Sequence, residues 1–466
     1  MKAPWLWPLA LIFGARYAVS AWFEPLHDSD LAWQQWLGQF ILAHGTLPSM
    51  LGPEAFAAQG APWIPQEWAL SLLVSFALGT PWFGLLAIGM ALAAVGVLVI
   101  TAQTARRTGS SQTAVAICGI AVGLSLVQSF GVRAQVLGWL MLAVFMLLLR
   151  TAPARTQWWI VPLTVLWANL HASVMLAPAL LAIWTAGVAL EERAWNTRVR
   201  HHVLLTAAAA LAVCANPLGI RMPLYALALF NSPIRHVIDE WQPTTIGFFA
   251  FSGGVLPLIL LMSVLGFEEP RRWSEIFTFA AAAVLSLTAA RNVPIASILI
   301  APLAAQRLNS VLPARLEVGA MTRRAEQIAF HALALAGSFA VVLLLAREPT
   351  FARSSVPLAA ITAASTVPGT HHLYCEDFAW CSWALAHRNL RTFIDGRCDP
   401  FPASIWKQYL AVYEVKPRWN AILNGQRIDL VLAKRTRPLA QALRLTGRWR
   451  EIYTDSTYAL FIRRRG

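Results

Sequence analysis

Apolar runs of about 20 residues recur along this chain, the length an α-helix needs to cross the hydrocarbon core of a bilayer. They fall near residues 4–22, 81–104, 111–130, 134–150, 157–170, 173–190, 203–216, 247–266, 274–289, 293–306 and 326–346. A segment in lipid must satisfy its backbone polar groups internally, so continuous runs of this kind fold as helices. The expectation is an all-α polytopic transmembrane bundle of about eleven helices. The stretch 67–79 is apolar but only about a dozen residues long, which suits an interfacial or re-entrant helix better than a crossing. Composition agrees: 57% of residues are hydrophobic and 13% charged, where a soluble domain carries about 25% charged residues. The 21 tryptophans suit the headgroup zone. Run 4–22 is long for the apolar part of a signal peptide. It leads into acidic residues without a small-residue cleavage site, so it reads as a retained helix that also targets the chain.

The net charge of +14 is not read as a nucleic-acid footprint, because much of it falls in short loops between apolar runs. Arg106-Arg107, Arg150 with Arg155, Arg193 with Arg198 and Arg200, Arg271-Arg272 and Arg323-Arg324 lie at alternate ends of successive runs. Basic residues favour the cytoplasmic side, so all five groups face inward if the amino terminus is cytoplasmic. The loops 24–66 and 217–246, and everything after about 346, then lie outside. Residues 1–346 form the expected membrane domain, with its first external loop at 24–66. Residues 347–466 form a small extracytoplasmic α/β domain. Its expected strands include His372–Tyr374, Thr392–Ile394, Ile428–Leu432 and Tyr458–Ile462, with helices at 404–413 and 438–445. From Arg347 on there are 18 Lys and Arg against 9 Asp and Glu, a surplus that suits either anionic lipid and phosphate or a merely solvated basic surface. In an oxidising location two of Cys375, Cys381 and Cys398 are expected to pair, and Cys375 with Cys398 is the favoured bridge because both follow strands.

Polar residues in or beside apolar runs are costly and therefore candidates for function. Asp28 and Asp30 sit directly after the first run. A carboxylate at a low-dielectric border has a raised pKa and can take a proton from an acceptor hydroxyl. Together with His27 the two could also hold Mg²⁺ or Mn²⁺ through hard ligands. The plainer reading makes Asp30 the cap of a helix beginning at Leu31. That helix, with Trp33, Trp36 and Phe40, suits the membrane surface. Asn169 and His171 interrupt the 157–190 hairpin at its outer turn, where His171 could shuttle a proton or the pair could simply make the turn. Arg133, Arg221, Arg235 and Arg291 map to the outer side, against the usual bias. They could clamp a lipid phosphate, or snorkel to headgroups. Arg16, inside the first run, is similarly costly. Glu67-Trp68 and Glu240-Trp241 place carboxylates at helix starts, as dipole partners or as acceptor-binding groups. Asp395-Gly396-Arg397 follows a strand and could bind an acceptor glycan or hold its own turn by an Asp–Arg pair.

Taken in order, several of these pieces resemble the GT-C class of integral-membrane glycosyltransferases, and most nearly a group of uncharacterised bacterial membrane proteins of that class. They are Asp28-Ser29-Asp30-Leu31 with Gly38 and His44-Gly45, Glu67-Trp68, Trp167-Ala168-Asn169-Leu170-His171, Asn216-Pro217-Leu218-Gly219, Asp239-Glu240-Trp241, Arg291-Asn292 and Ile394-Asp395-Gly396-Arg397. Ser29 stands where the resemblance leads one to expect proline. The resemblance implies transfer of a sugar from a polyprenyl-phosphate donor to a lipid, glycan or protein acceptor. The place would be the outer face of a bacterial inner membrane, with an aspartate of the first loop as base. It implies membrane lipid and the lipid-linked sugar as partners, and no nucleic acid. Two rivals are a transporter or flippase of lipid-linked intermediates and a non-catalytic assembly protein of a polysaccharide pathway. The first predicts repeat symmetry and polar residues at mid-membrane depth, whereas the polar residues here lie mainly near outer ends.

Overall fold

The computed structural model describes residues 30–80, 82–126, 131–229, 237–267, 269–312 and 356–464. Helices dominate, and a small sheet lies near the carboxy terminus. The chain divides into two compact units. Among the described residues, one comprises 84–229, 237–267 and 269–312, and the other 30–80, 82–83 and 356–464. The described part of the expected first loop thus belongs to the same unit as the tail, a grouping that the division at residue 346 does not anticipate.

The first unit is a helical bundle. Among the described residues three helices are long and apolar enough to cross a membrane: Trp82–Arg107, which belongs to this unit from Gly84 on, Ala134–Thr151 and Ala172–Glu192, the last beginning in a 3-10 turn. Gln112–Leu126, Ala250–Leu265 and Trp273–Thr288 are apolar but shorter. The expected spans 4–22 and 326–346 lie outside the described residues. The run at 157–170 yields only the helix Ile160–Ala168. Val293–Val311 is the bundle's inner helix, and every residue from Val293 to Ala305 is buried. A helix apolar all round has no polar face to give to water, so the packing of neighbours around it follows from its composition. Close approach is built from small residues. A Cβ on Gly187 would stand 2.2 Å from the Ser274 nitrogen, which is how Leu176–Glu192 meets Trp273–Thr288 so tightly. Leu92, Leu204, Leu211, Val264 and Val284 point outward and are exposed, as side chains facing lipid would be.

Charged residues collect at one end of this bundle. Arg150, closing one helix, donates to Glu275 at 2.8 Å. Glu191 accepts from the Ser274 N–H and hydroxyl, each at 2.8 Å. Arg198 pairs with Glu192 at 2.7 Å. These are the ends to which the arginine pattern assigned one common side.

The second unit is built on a five-stranded sheet: β1 (His371–Cys375), β2 (Leu390–Thr392), β3 (Leu430–Lys434), β4 (Trp449–Thr454) and β5 (Tyr458–Arg463). Its order is β2-β1-β3-β5-β4, parallel across the first three strands and antiparallel across the rest. Leu373, Leu430, Leu432 and Leu460 share a core with Trp380 and with Ala360 and Ile361 of the helix Leu358–Ser365. The bridge favoured from sequence is corrected here: Cys375 pairs with Cys381, their Cα atoms 5.8 Å apart, and Cys398 is free and buried. After β1 the chain turns at Asp377, whose carboxylate accepts the Ala379 N–H and caps the helix Phe378–Ala384. That turn brings Cys381 back beside the strand end. The helix Asp30–His44 also departs from expectation. Leu31, Trp33 and Leu37 are buried within the unit, and the helix packs on Trp68–Ala77, where Gly38 leaves room for the Ser71 carbonyl.

Candidate functional site

In the first unit the chain folds polar residues together at the end of the bundle opposite Arg150. The segment 239–244 is fastened to 286–290 by backbone bonds, Ala290 N–H to Gln242 O at 3.0 Å and Thr244 N–H to Leu287 O at 3.3 Å. The Thr244 hydroxyl adds a third, to Ser286 O at 2.6 Å. This fixes the 3-10 turn Asp239–Trp241 against the turn Ala290–Asn292. The Arg291 guanidinium lies 4.2 Å from the centroid of the Trp241 ring, a cation–π contact that holds the charge in place. Arg133, just before the helix Ala134–Thr151, pairs with Glu240 at 2.5 Å. Gln135 donates to the other oxygen of that carboxylate at 3.4 Å. Burial alone would push the Glu240 carboxyl up, but the charges of Arg133 and Arg291, with hydrogen bonds from Arg133 and Gln135, hold it below the usual carboxylate range.

His171 belongs to the same neighbourhood. It caps the turn Ala172–Met175 by accepting the Ser173 N–H on Nδ1, and the Ser173 hydroxyl, which receives the Trp167 indole N–H, lies 2.8 Å away. Burial, followed by the Arg291 charge, pushes its pKa down to about 3. The ring is neutral at ordinary pH, as a hydrogen-bonding or orienting group and not a cation. Asn169 donates to the carbonyls of Val165 and Ala215, at 2.8 and 3.0 Å, and so ties its turn to the segment that follows the helix Thr197–Ala212. Arg221 opens the helix Arg221–Ala228, which packs on the 172–175 turn, and its side chain is exposed. Arg133 and Leu176 stand at helix starts, and Arg291 lies in the 3-10 turn that leads into the helix Val293–Val311, so the dipoles of these helices add partial positive charge nearby.

The second unit holds a different constellation. Arg397 is fully buried. It donates a fork to Asp395, at 2.9 and 2.7 Å, and a third bond to Glu54 at 2.9 Å. Its guanidinium lies 5.1 Å from the Trp36 ring centroid and 5.0 Å from that of Trp63. Asp395 also accepts from the Thr392 hydroxyl and from the Arg397 N–H. The Thr392 N–H donates to Glu54 O at 2.7 Å, and Phe56 stacks on His372 at 3.9 Å. Glu67 is nearly buried and accepts from Gln34 at 2.7 Å, between the two loop helices. Asp395 and Arg397 are therefore spent on joining the first loop to the tail, and Glu67 on joining the two loop helices. Glu54, Trp36 and Trp63 are the partners sequence reasoning missed as a set. Only Trp36 carried any signal there, and that as a residue of a surface helix.

Asp30 opens its helix and accepts the Trp33 indole N–H at 2.9 Å. Burial pushes the Cys398 thiol well up, with Asp399, Asp30, Asp395 and Asp377 adding to it, so Asp30 is one of several carboxylates around that thiol. His27, Asp28 and Arg235 lie outside the described residues. Among the described residues no three His, Cys, Asp or Glu side chains gather as a metal site.

No family model and no curated protein matches the chain. Solved structures do. The archaeal oligosaccharyltransferase AglB from Archaeoglobus fulgidus, solved in complex with an inhibitory peptide and a dolichol-phosphate, superposes with a TM-score of 0.56 at 12% identity, over 92% of this chain and 69% of that one. The arabinofuranosyltransferase AftD from Mycobacteria gives 0.55 at 14%, over 99% of this chain and 42% of that one. ArnT from Cupriavidus metallidurans gives 0.50 at 15%, over 98% and 96%. These structures are GT-C glycosyltransferases, as the ordered motifs led one to expect. At such identities what the chains share is the fold.

Proposed function

We propose that this chain is a membrane glycosyltransferase that moves a sugar from a polyprenyl-phosphate donor to a lipid, glycan or protein acceptor. The observation that carries the reading is the gathering of Arg133, Arg291, Glu240 and His171 around helix starts at one end of a GT-C-fold bundle. Two guanidinium groups beside helix N-termini suit a phosphate whose charge grows as its bond to the sugar breaks. The dolichol-phosphate in the AglB complex belongs to the same chemical class. In this reading Asp28 takes the proton of the acceptor hydroxyl, with Asp30 beside it in sequence. The acceptor oxygen bonds to the anomeric carbon from the face opposite the phosphate, and the anomeric C–O bond breaks. Its electron pair stays on the phosphate, and the sugar inverts. The chain sits in a bacterial inner membrane, with its amino terminus cytoplasmic and its carboxy-terminal domain outside.

The test uses the full chain in detergent with a panel of polyprenyl-phosphate sugars and reads released polyprenyl phosphate. Asp28→Asn should abolish release while the protein still folds. Arg291→Ala should lose on the order of a hundredfold in rate, and Arg291→Lys, which keeps the charge but not the fork, should retain part of it. Near wild-type turnover in Asp28→Asn removes it from the mechanism, and equal, near wild-type rates in both Arg291 variants remove the phosphate clamp.

A further inference from the structure

We infer that Glu240 is a built-in substitute for the donor's phosphate: its carboxylate occupies Arg133 when the site is empty and is displaced when the phosphate arrives. The inference rests on the phosphate reading of Arg133 and Arg291. It adds a carboxylate that competes with the ligand inside the site.

Three features of the geometry point this way. First, the pair is open: the Arg133 side chain is 21% exposed and that of Glu240 38%. The Arg397–Asp395 pair, by contrast, is 0% exposed on both sides. An open ion pair contributes little and exchanges readily, whereas a sealed one is locked. Second, the two arginines are held differently. Arg291 is fixed over Trp241, while Arg133 is held by the carboxylate. An arriving phosphate therefore meets one cation in place and another in the grip of an exchangeable anion. Third, the turn bearing Glu240 is fastened to 286–290 through backbone bonds. The carboxylate can leave Arg133 by side-chain rotation without moving the segment.

The exchange follows the chemistry of the phosphate. The donor's phosphate is a diester with one negative charge and two free oxygens, like a carboxylate, and competes with Glu240 for the guanidinium fork on similar terms; the polyprenyl phosphate left after transfer is a monoester with more charge and a third oxygen. The Glu240 carboxylate is ionised at neutral pH, because the neighbouring arginines hold its pKa below the usual range against the effect of burial. It therefore opposes the incoming phosphate as a like charge and competes for the same cation. The same competition serves the end of the reaction. Transfer leaves a polyprenyl phosphate on the arginines, and the carboxylate returning to Arg133 helps to expel it.

The experiment measures equilibrium binding and dissociation of a long-chain polyprenyl monophosphate on the full-length protein, with inorganic phosphate in parallel. Glu240→Gln should bind the lipid phosphate roughly tenfold more tightly and release it more slowly, because the competing charge is gone. Glu240→Asp keeps the charge on a stem one methylene shorter and should fall between. If Glu240→Gln does not fold, Glu240→Asp decides: tighter binding supports the substitute and unchanged binding overturns it. Unchanged or weaker binding by Glu240→Gln overturns it likewise, and the clamp survives if Arg291→Ala still binds poorly. Wild-type binding by Arg291→Ala overturns the phosphate reading itself. A gain seen with inorganic phosphate too assigns the exchange to the phosphate group alone. A gain confined to the lipid assigns it to the phosphate as the lipid presents it.

Discussion

Replacing Arg397 by methionine should open the contact between the first loop and the tail. The guanidinium now satisfies Asp395 twice and Glu54 once, and the side chains of Arg397 and Asp395 are fully buried. Methionine fills a similar volume but leaves two carboxylates facing each other in a dry place. Removing one partner of a buried pair commonly costs about 3–5 kcal/mol, because the other charge is stranded. Lost stacking on Trp36 and Trp63 adds to this. The readout is alkylation of Cys398, a free thiol that is 8% exposed and follows Arg397 directly. Mass spectrometry of its peptide separates it from Cys118 and Cys214. Each 1.36 kcal/mol is a factor of ten, so labelling through local opening should speed up by roughly two to four orders of magnitude. Adding Glu54→Gln and Asp395→Asn to Arg397→Met removes the stranded charges and should recover part of the protection. Arg397→Lys should fall between, since lysine keeps a charge but not the fork. If Arg397→Met labels within about threefold of the unsubstituted protein, the triad does not hold loop to tail and the reasoning fails.

Two further outcomes can be checked directly. Peptide mapping without reduction should find Cys375 joined to Cys381 and Cys398 as a free thiol; a bridge to Cys398, or three free thiols, would contradict this arrangement. A reporter active only outside the cytoplasm, fused after Gly466, should be active, because the arginine-rich loops alternate consistently only with the tail outside. Silence there with an active cytoplasmic reporter would reverse the orientation and remove the lipid-linked donor.

Much of the fold is legible where one physical rule dominates. The inner strands β1, β3 and β5 show as short apolar runs, because both faces are covered. The edge strand β4 does not: Trp449-Arg450-Glu451-Ile452-Tyr453-Thr454 carries charge on a half-exposed edge and reads as loop. Helices appear wherever an apolar run is long, but their number does not follow from the runs. Ile160–Ala168 is 9 residues long, and its run merged on paper with a polar turn. The disulfide was misread because strand ends alone say nothing of direction. The cap at Asp377 reverses the chain within a few residues and makes Cys381 the nearer partner.

At the sites, sequence marked residues singly and could not say which would meet. Arg133, His171, Glu240 and Arg291 each stood out as polar groups beside apolar sequence, and helix packing brings them to one place. Asp395 and Arg397 stood out equally, yet their third partner, Glu54, lies 343 positions away in a polar loop where a lone carboxylate carries no signal. On paper the two arginine–carboxylate sets look alike, since each costs the chain a charge next to apolar residues. Burial separates them. The Arg397 guanidinium and its Asp395 partner are sealed from solvent, whereas the Arg133 and Glu240 side chains remain partly open. The proposed exchange at Arg133 depends on that opening, and a sealed pair such as Arg397–Asp395 could not carry it.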